Sequence, residues 1–142
     1  MSVLNAMGSA IFGKLSAGTA LTTLLPGSAS IYRIQAPMAN GTIATSFPFV
    51  IFSVNSGGPR NETPSDRRDE VVWIRAYSKL GPGQAGSIDA AISGLLHNQP
   101  VTVTGYTTMH VQRELDAEFV DNLPNTEPVW MCGGMYRFML DA

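Results

Sequence analysis

The sequence contains one cysteine, Cys132, and only two histidines. A single cysteine can form neither an intramolecular disulfide nor a cysteine-based zinc site, and this usage is consistent with a reducing cytoplasm. His97 and His110 are far apart in the sequence and do not have metal-ligand spacing, so we interpret both as structural. We therefore expect no metal and no cofactor.

Charged residues are scarce, at 14% of the chain against about 25% in typical domains. A weakly charged surface is easily desolvated, which suits a subunit that packs against neighbours. It is equally compatible with a protein of modest solubility. The net charge of −2 argues against a nucleic-acid binder held by phosphate contacts, which would be basic.

Acidic residues are absent from residues 1–59, which carry only Lys14 and Arg33. Residues 105–142 carry two arginines and six acids. Those acids are Glu114, Asp116, Glu118, Asp121, Glu127 and Asp141. This asymmetry indicates either complementary faces of an assembly or simply solvated loops.

Long apolar runs are also absent, because no stretch approaches 18 consecutive apolar residues. With no basic leader near Met1, we expect neither a signal peptide nor a membrane span. A length of 142 residues predicts one domain, residues 1–142.

The sequence lacks the motifs of common catalytic sites, including GxSxG, HExxH, CxxC and a phosphate-binding loop. Gly81–Gly86 (GPGQAG) precedes a predicted helix, but Pro82 stands where a dinucleotide loop must bend freely. The acidic run Glu114–Asp121 lacks the glycine and terminal glutamate of a calcium loop. No base can be argued for Cys132 as a nucleophile. The chain is therefore predicted not to be an enzyme.

Apolar spacing predicts three helical segments. The first spans Val3 to Leu15 with Ser2 as its cap, and Thr19 opens a short second piece. The third spans Ala85–Leu96, capped by Ser87 or by the Gly-rich turn before it.

Five segments read as strands. They are Ile31–Gln35, Phe47–Asn55, Glu70–Ser78, Val101–Val111 and Trp130–Leu140. This order predicts an α+β fold, with a mainly antiparallel sheet of four to five strands and helices on one face. Both faces of Phe47–Asn55 are apolar, so each should be covered, one of them by another part of this subunit or by another subunit. Gly133–Gly134 is expected to bend the last strand.

Two polar segments interrupt these strands. Ser56–Asp69 is predicted to be a long loop, residues 56–69, that is either mobile or an arm reaching a neighbour. Residues 107–127 form an acidic excursion, read as a solvated loop beyond Val111. Trp73, Arg75 and Tyr77 share one strand face, a composition typical either of interfaces or of an amphipathic outer face.

Several segments, in order, resemble the tail-terminator or tail-completion family of long-tailed bacteriophages. They are ALTTLLPGSASIYRIQAP (Ala20–Pro37), FPFVIFSVNSG (Phe47–Gly57), VVWIRAYSK (Val71–Lys79), AGSIDAAISGLLHNQPVTVTGY (Ala85–Tyr106) and YRFML (Tyr136–Leu140). The resemblance covers most of the chain, although Thr107–Glu127 is less typical of the family.

This resemblance implies a virion protein, assembled in the host cytoplasm, that forms a hexameric ring on the tail tube. Such a ring stops tube polymerisation and joins the tail to the head-side connector, with DNA only as passing cargo. Arg60, Arg67 and Arg68, together with the Trp73/Arg75/Tyr77 face, are the predicted subunit or tube contacts. The carboxylates predicted to line the lumen are Glu114, Asp116, Glu118 and Asp121.

Two alternatives remain. The chain could be a head-closure or neck protein of the same virion. It could also be a small cytoplasmic α+β enzyme or ligand-binding module, which predicts an enclosed polar pocket between sheet and helix.

Overall fold

A computed structural model describes residues 2–27, 30–39, 42–43, 46–59, 67–121 and 127–141. The helices are α1 (Val3–Ser16), α2 (Thr19–Thr22) and α3 (Pro82–Leu96). The strands are β1 (Ile31–Arg33), β2 (Met38–Ala39), β3 (Thr42–Ile43), β4 (Phe49–Pro59), β5 (Arg67–Ser78), β6 (Thr107–Asp121) and β7 (Val129–Asp141).

Five of the strands form one sheet in the order β1-β4-β5-β7-β6, and β2 and β3 form a separate two-stranded ribbon. β1 runs parallel to β4, whereas the other neighbours in the large sheet are antiparallel. The three helices pack on one side of this sheet around the main core. The predicted α+β fold is confirmed.

The helix termini follow from local chemistry. Ser2 caps α1, since its Oγ accepts a hydrogen bond from the Asn5 backbone N–H at 3.2 Å. α3 begins at Pro82, directly after Gly81, whose φ of 144° is accessible to glycine. The Gly-rich turn therefore starts α3. Ser87 lies inside the helix, where its hydroxyl donates to the Gly83 carbonyl at 3.0 Å.

Both faces of β4 are covered, as predicted. Val50 and Phe52 lie in the main core beneath the helices. Phe49 and Ile51, on the opposite face, belong to a smaller cluster with Ala36. The second face is thus covered partly by this subunit's own chain.

The prediction of a loop over residues 56–69 is wrong at both ends. β4 continues to Pro59 and β5 begins at Arg67, with Gly57 paired to Glu70. These polar residues are strand because β5 pairs with β7 as well as with β4, and backbone pairing on both sides outweighs weak strand propensity. Residues 60–66, including Arg60, lie outside the described residues.

The loop predicted within residues 107–127 is also wrong, because β6 extends from Thr107 to Asp121 along β7. Conversely, residues 101–106 are not strand, although Val101 and Val103 are buried. β6 is an edge strand of the sheet, where solvated carboxylates cost little. Acidic composition therefore did not prevent strand formation.

Candidate interaction surfaces

Trp73, Arg75 and Tyr77 lie together on the face of the sheet away from the helices, which we call the outer face. They alternate along β5 with Val72, Ile74 and Ala76, which are buried in the main core. The Arg75 guanidinium carbon lies 4.6 Å from the centre of the Trp73 ring and 6.0 Å from that of Tyr77. The shared face is confirmed, and its role as a contact surface remains a prediction.

The row formed by Trp73, Arg75 and Tyr77 continues onto the neighbouring strand, because the register of β4 and β5 places Phe49 beside Tyr77. Tyr77 pairs with Phe49 and stacks on it with ring centres 5.2 Å apart. Phe47 follows at 4.8 Å from Phe49, and the Lys79 ammonium lies 4.7 Å from the Phe47 ring centre. Sequence reasoning missed Phe47 and Lys79, because only the pairing of β4 with β5 brings these two side chains together.

Two donors in this row are buried without an acceptor among the described residues, namely Trp73 Nε1 and Arg75 Nε. A buried donor without an acceptor costs about 1–3 kcal/mol. An acceptor supplied by another chain would remove that cost. The outer face is therefore incomplete in the described part of the single chain.

The two arginines at the start of β5 lie on opposite faces of the sheet, and only Arg67 shares the face of Trp73. Arg68 Nε lies 3.0 Å from Glu70 Oε1, and Glu70 is buried. Arg67 is the strand neighbour of Asp141 and, by alternation, lies on the opposite face from Arg68. The ion pair of Arg68 is internal, which makes Arg68 a poor contact candidate. A contact through Arg67 stays a prediction.

The acidic residues of β6 are divided between the two faces. Glu114 accepts a hydrogen bond from Arg137 Nε at 2.7 Å, and this bond raises the pKa of Arg137. Asp116 lies 2.6 Å from Arg113 Nε on the helix side, where Glu118 also lies. The side chain of Asp121 is outside the described residues. The predicted lumen residues therefore do not form one continuous acidic row.

Arg113, which sequence reasoning missed, connects β6 to α3 and β7. Its guanidinium donates to both carboxylate oxygens of Asp89 at 2.8 Å, to the Tyr136 hydroxyl at 3.0 Å and to the Gly133 carbonyl at 3.0 Å. Burial opposes the charged form, but the hydrogen bonds to Asp89 and the neighbouring groups outweigh it and raise the pKa of Arg113. We call Arg113, Asp89, Asp116, Tyr136 and Gly133 the Arg113 cluster.

Gly133 and Gly134 make room for this cluster. A Cβ on Gly134 would lie 2.7 Å from the Arg113 guanidinium, and one on Gly133 would lie 2.5 Å from the Ile74 carbonyl oxygen. Both glycines stay in regular register with β5. Close approach of neighbouring atoms explains the pair, and the bend stays a prediction.

The remaining chemical candidates have structural surroundings. Cys132 is buried with Sγ 3.7 Å from the Pro82 carbonyl oxygen, and burial raises the pKa of its thiol. His97 Nδ1 accepts the Arg113 backbone N–H at 3.0 Å. His110 contacts Gln112. Within the described ranges, no three His, Cys, Asp or Glu side chains are grouped to hold a metal.

A cleft of about 560 Å³ lies between α3 and β6. Its lining includes Asp89, Arg113, Glu118 and Cys132, and it is open to solvent. The arginine and its carboxylate partners already satisfy one another there. The cleft does not match the enclosed polar pocket that the ligand-binding alternative predicted.

Among the described helices, none combines the length and apolar character needed to cross a bilayer.

Residues 9–128 match the family model described as tail completion protein gp17. The fold is similar to a chain in the structure described as the virion of a native gene transfer agent particle, with a TM-score of 0.78. That likeness covers 99% of this chain and 98% of the other, at 13% sequence identity. No curated protein sequence matches the chain.

Proposed function

This chain belongs to the tail completion protein gp17 family, and from that membership we propose that it is a tail terminator. Members of this family are structural proteins of the virion tail and not enzymes. The predictions of a tail-completion virion protein and of no enzymatic activity are thereby confirmed.

The proposed terminator forms a ring of copies, most simply a hexamer, on the head-proximal end of the tube. The ring prevents further addition of tube protein and presents its other side to the head-side connector. The likeness to a chain of a gene transfer agent virion supports placement in such a particle. DNA would cross the ring only as cargo.

The outer face is the observation that carries this proposal. It places Trp73, Arg75 and Tyr77 in one row, with two buried donors lacking acceptors among the described residues. Aromatic residues and arginine are enriched at the centres of protein interfaces, where truncation commonly costs 2 kcal/mol or more. We propose that this row contacts the tube protein or an adjacent copy. Contacts by Arg60 and Arg67 stay predictions from the sequence.

The test is Trp73→Ala, with Thr104→Ala on an exposed loop as the matched control. Particles assembled with each variant are examined by negative-stain electron microscopy for tube length and for attached heads. A terminator that no longer binds the tube gives over-long or variable tubes without heads. The control should give tubes of normal length.

Other outcomes decide between the alternatives. Tubes of normal length that fail to join heads would favour a head-closure or neck protein and refute the terminator. Normal joined particles from the Trp73→Ala variant would refute the assignment of the outer face.

The lumen role of Glu114, Asp116, Glu118 and Asp121 stays a prediction. Two of these carboxylates already have arginine partners. If Glu118 faces passing DNA, Glu118→Lys should slow DNA ejection from otherwise normal particles.

A further inference from the structure

The two ends of the five-stranded sheet expose different surfaces. At one end, the outer edge of β6 has no neighbouring strand among the described residues. Leu115 and Phe119 lie there on the outer face and Val120 on the helix side, with 53%, 45% and 45% of their surface exposed. At about 3.3 Å per residue these side chains span roughly 17 Å. We call Leu115–Val120 the β6 edge.

At the other end, α1 and β1 form a second apolar surface, the α1–β1 flank, made of Leu4, Phe12, Arg33 and Ile34. Leu4 and Phe12 are exposed on the same side of α1, one helical turn on either side of Gly8. The Arg33 guanidinium packs over Gly8, and its Nη1 donates to Asn5 Oδ1 at 3.1 Å. This contact joins the exposed side of α1 to the end of β1.

Ile34 is held in an unfavourable backbone conformation. Its φ is 73°, a left-handed value that β-branched residues rarely adopt, and 65% of its surface is exposed. Its N–H donates to the Phe52 carbonyl at 2.8 Å, which fixes the turn. Such strain recurs at functional positions. An exposed isoleucine at this position contributes little to folding, so its side chain is available for a partner.

The two surfaces also differ in charge. The part of the chain that builds the α1–β1 flank contains Lys14 and Arg33 and no acid. Neither cation forms an ion pair among the described residues, and the same holds for Glu118 on β6. The flank therefore carries unpaired positive charge and the β6 edge carries unpaired negative charge.

We propose that the β6 edge of one copy packs against the α1–β1 flank of the next copy. Apolar side chains on both surfaces form the contact, and Arg33 lies near Glu118. This inference rests on the ring proposed above and assigns the two sides of its subunit contact. Because the surfaces lie at opposite ends of one sheet, the contact is heterologous and can close a ring.

A β6-to-β6 contact between copies is disfavoured by the same strand. In such a contact, Asp116 and Glu118 of one copy would lie close to the same two residues of the other copy. Like charges facing each other across strands are destabilising. Register shifts at Thr108/His110 and Arg113/Leu115 also interrupt regular strand pairing. Both features protect the edge against strand addition and leave side-chain packing as the mode of contact.

The test uses cysteine cross-linking in assembled particles. Phe12→Cys and Phe119→Cys are made singly and together, and a short bis-maleimide is added before denaturing electrophoresis. The double variant should give a series of multimers up to the ring size. Each single variant should give monomer, as should the parent chain, whose Cys132 is buried.

Dimers from Phe119→Cys alone would overturn the proposal, because they require a β6-to-β6 contact. Monomer from the double variant, in particles whose ring is visible by cryo-electron microscopy, would overturn it while leaving the terminator role intact. Particles in which this chain forms no ring on the tail would refute the proposed function and this inference with it.

A charge exchange gives a second readout. Glu118→Arg and Arg33→Glu should each lower the yield of ring-bearing tails severalfold, and the two changes together should restore it. Equal loss in the double variant would overturn the pairing of these surfaces. If Glu118→Arg leaves ring yield intact and slows DNA ejection, the lumen prediction is supported and the contact proposed here is refuted.

Discussion

Replacing Arg113 with methionine should destabilise the folded chain by about 2–3 kcal/mol. The substitution keeps an unbranched side chain but removes five hydrogen bonds, to Asp89, Asp116, Tyr136 and Gly133. Removing one partner of a buried ion pair costs about 3–5 kcal/mol, because the other charge is left unpaired. The side chains of Arg113 and Asp89 are 13% and 17% exposed, so water partly solvates the charge that is left. We therefore expect a cost slightly below that range.

Thermal unfolding of the purified chain, followed by circular dichroism, measures this loss. For a chain of this size, 2–3 kcal/mol corresponds to a decrease in Tm of roughly 5–10 °C. The matched control is Asp116→Asn, since 84% of the Asp116 side chain is exposed. Its contact with the same guanidinium should be worth about 0.5 kcal/mol or less.

Asp89→Asn completes a double-mutant cycle with Arg113→Met. The two changes should be clearly non-additive, because each removes the same bidentate interaction. A Tm for Arg113→Met within 1 °C of the parent chain, or strict additivity in the cycle, would refute the stabilising role of the Arg113 cluster.

Three further predictions concern single positions. Gly134→Ala should destabilise the chain by about 2 kcal/mol in urea unfolding, because the new Cβ would lie 2.7 Å from both Arg113 and the Leu115 carbonyl oxygen; unchanged stability would contradict the close approach. Ile34→Asn should raise the free energy of unfolding by about 0.5–1 kcal/mol, since asparagine tolerates a φ of 73°, and should lower ring yield; a less stable variant would contradict the strain. Because burial raises the pKa of Cys132, its reaction with a maleimide at pH 7–8 should be much slower in the folded chain than in urea, and equal rates would contradict its burial.

The regular elements were largely predictable from apolar periodicity. The spacing of Met7, Ile11 and Leu15 places all three on one face of a helix, and the spacing of Val72 and Ile74 places both on one face of a strand. Burying these side chains fixes which face of each element meets the core. The face shared by Trp73, Arg75 and Tyr77 followed from the same alternation.

The polar strands were not predictable in the same way. Residues 67–69 and 112–121 have the composition of loops, and only pairing with neighbouring strands makes them strand. The local sequence does not indicate which strand pairs with these residues. Tertiary pairing therefore overrode local propensity at these positions.

The Arg113 cluster was hidden for a related reason. Asp89 and Arg113 are 24 residues apart, and their contact depends on α3 packing over β6 and β7. The adjacent glycines, Gly133 and Gly134, were a usable signal, since paired glycines in a strand often mark close approach. We interpreted them only as a bend, whereas the Arg113 guanidinium approaches Gly134 and the β5 backbone approaches Gly133.

The Arg113 cluster also bears on how the β6 edge can bind a neighbour. An edge strand that must become ordered on contact loses part of its binding free energy to that ordering. Arg113 fixes β6 to α3 and β7 from the helix side, two residues before Leu115. The edge is thus held in place before a second copy arrives. Arg113→Met should consequently lower ring yield even at temperatures where the variant is fully folded. A folded variant with normal ring yield would show that β6 needs no such support.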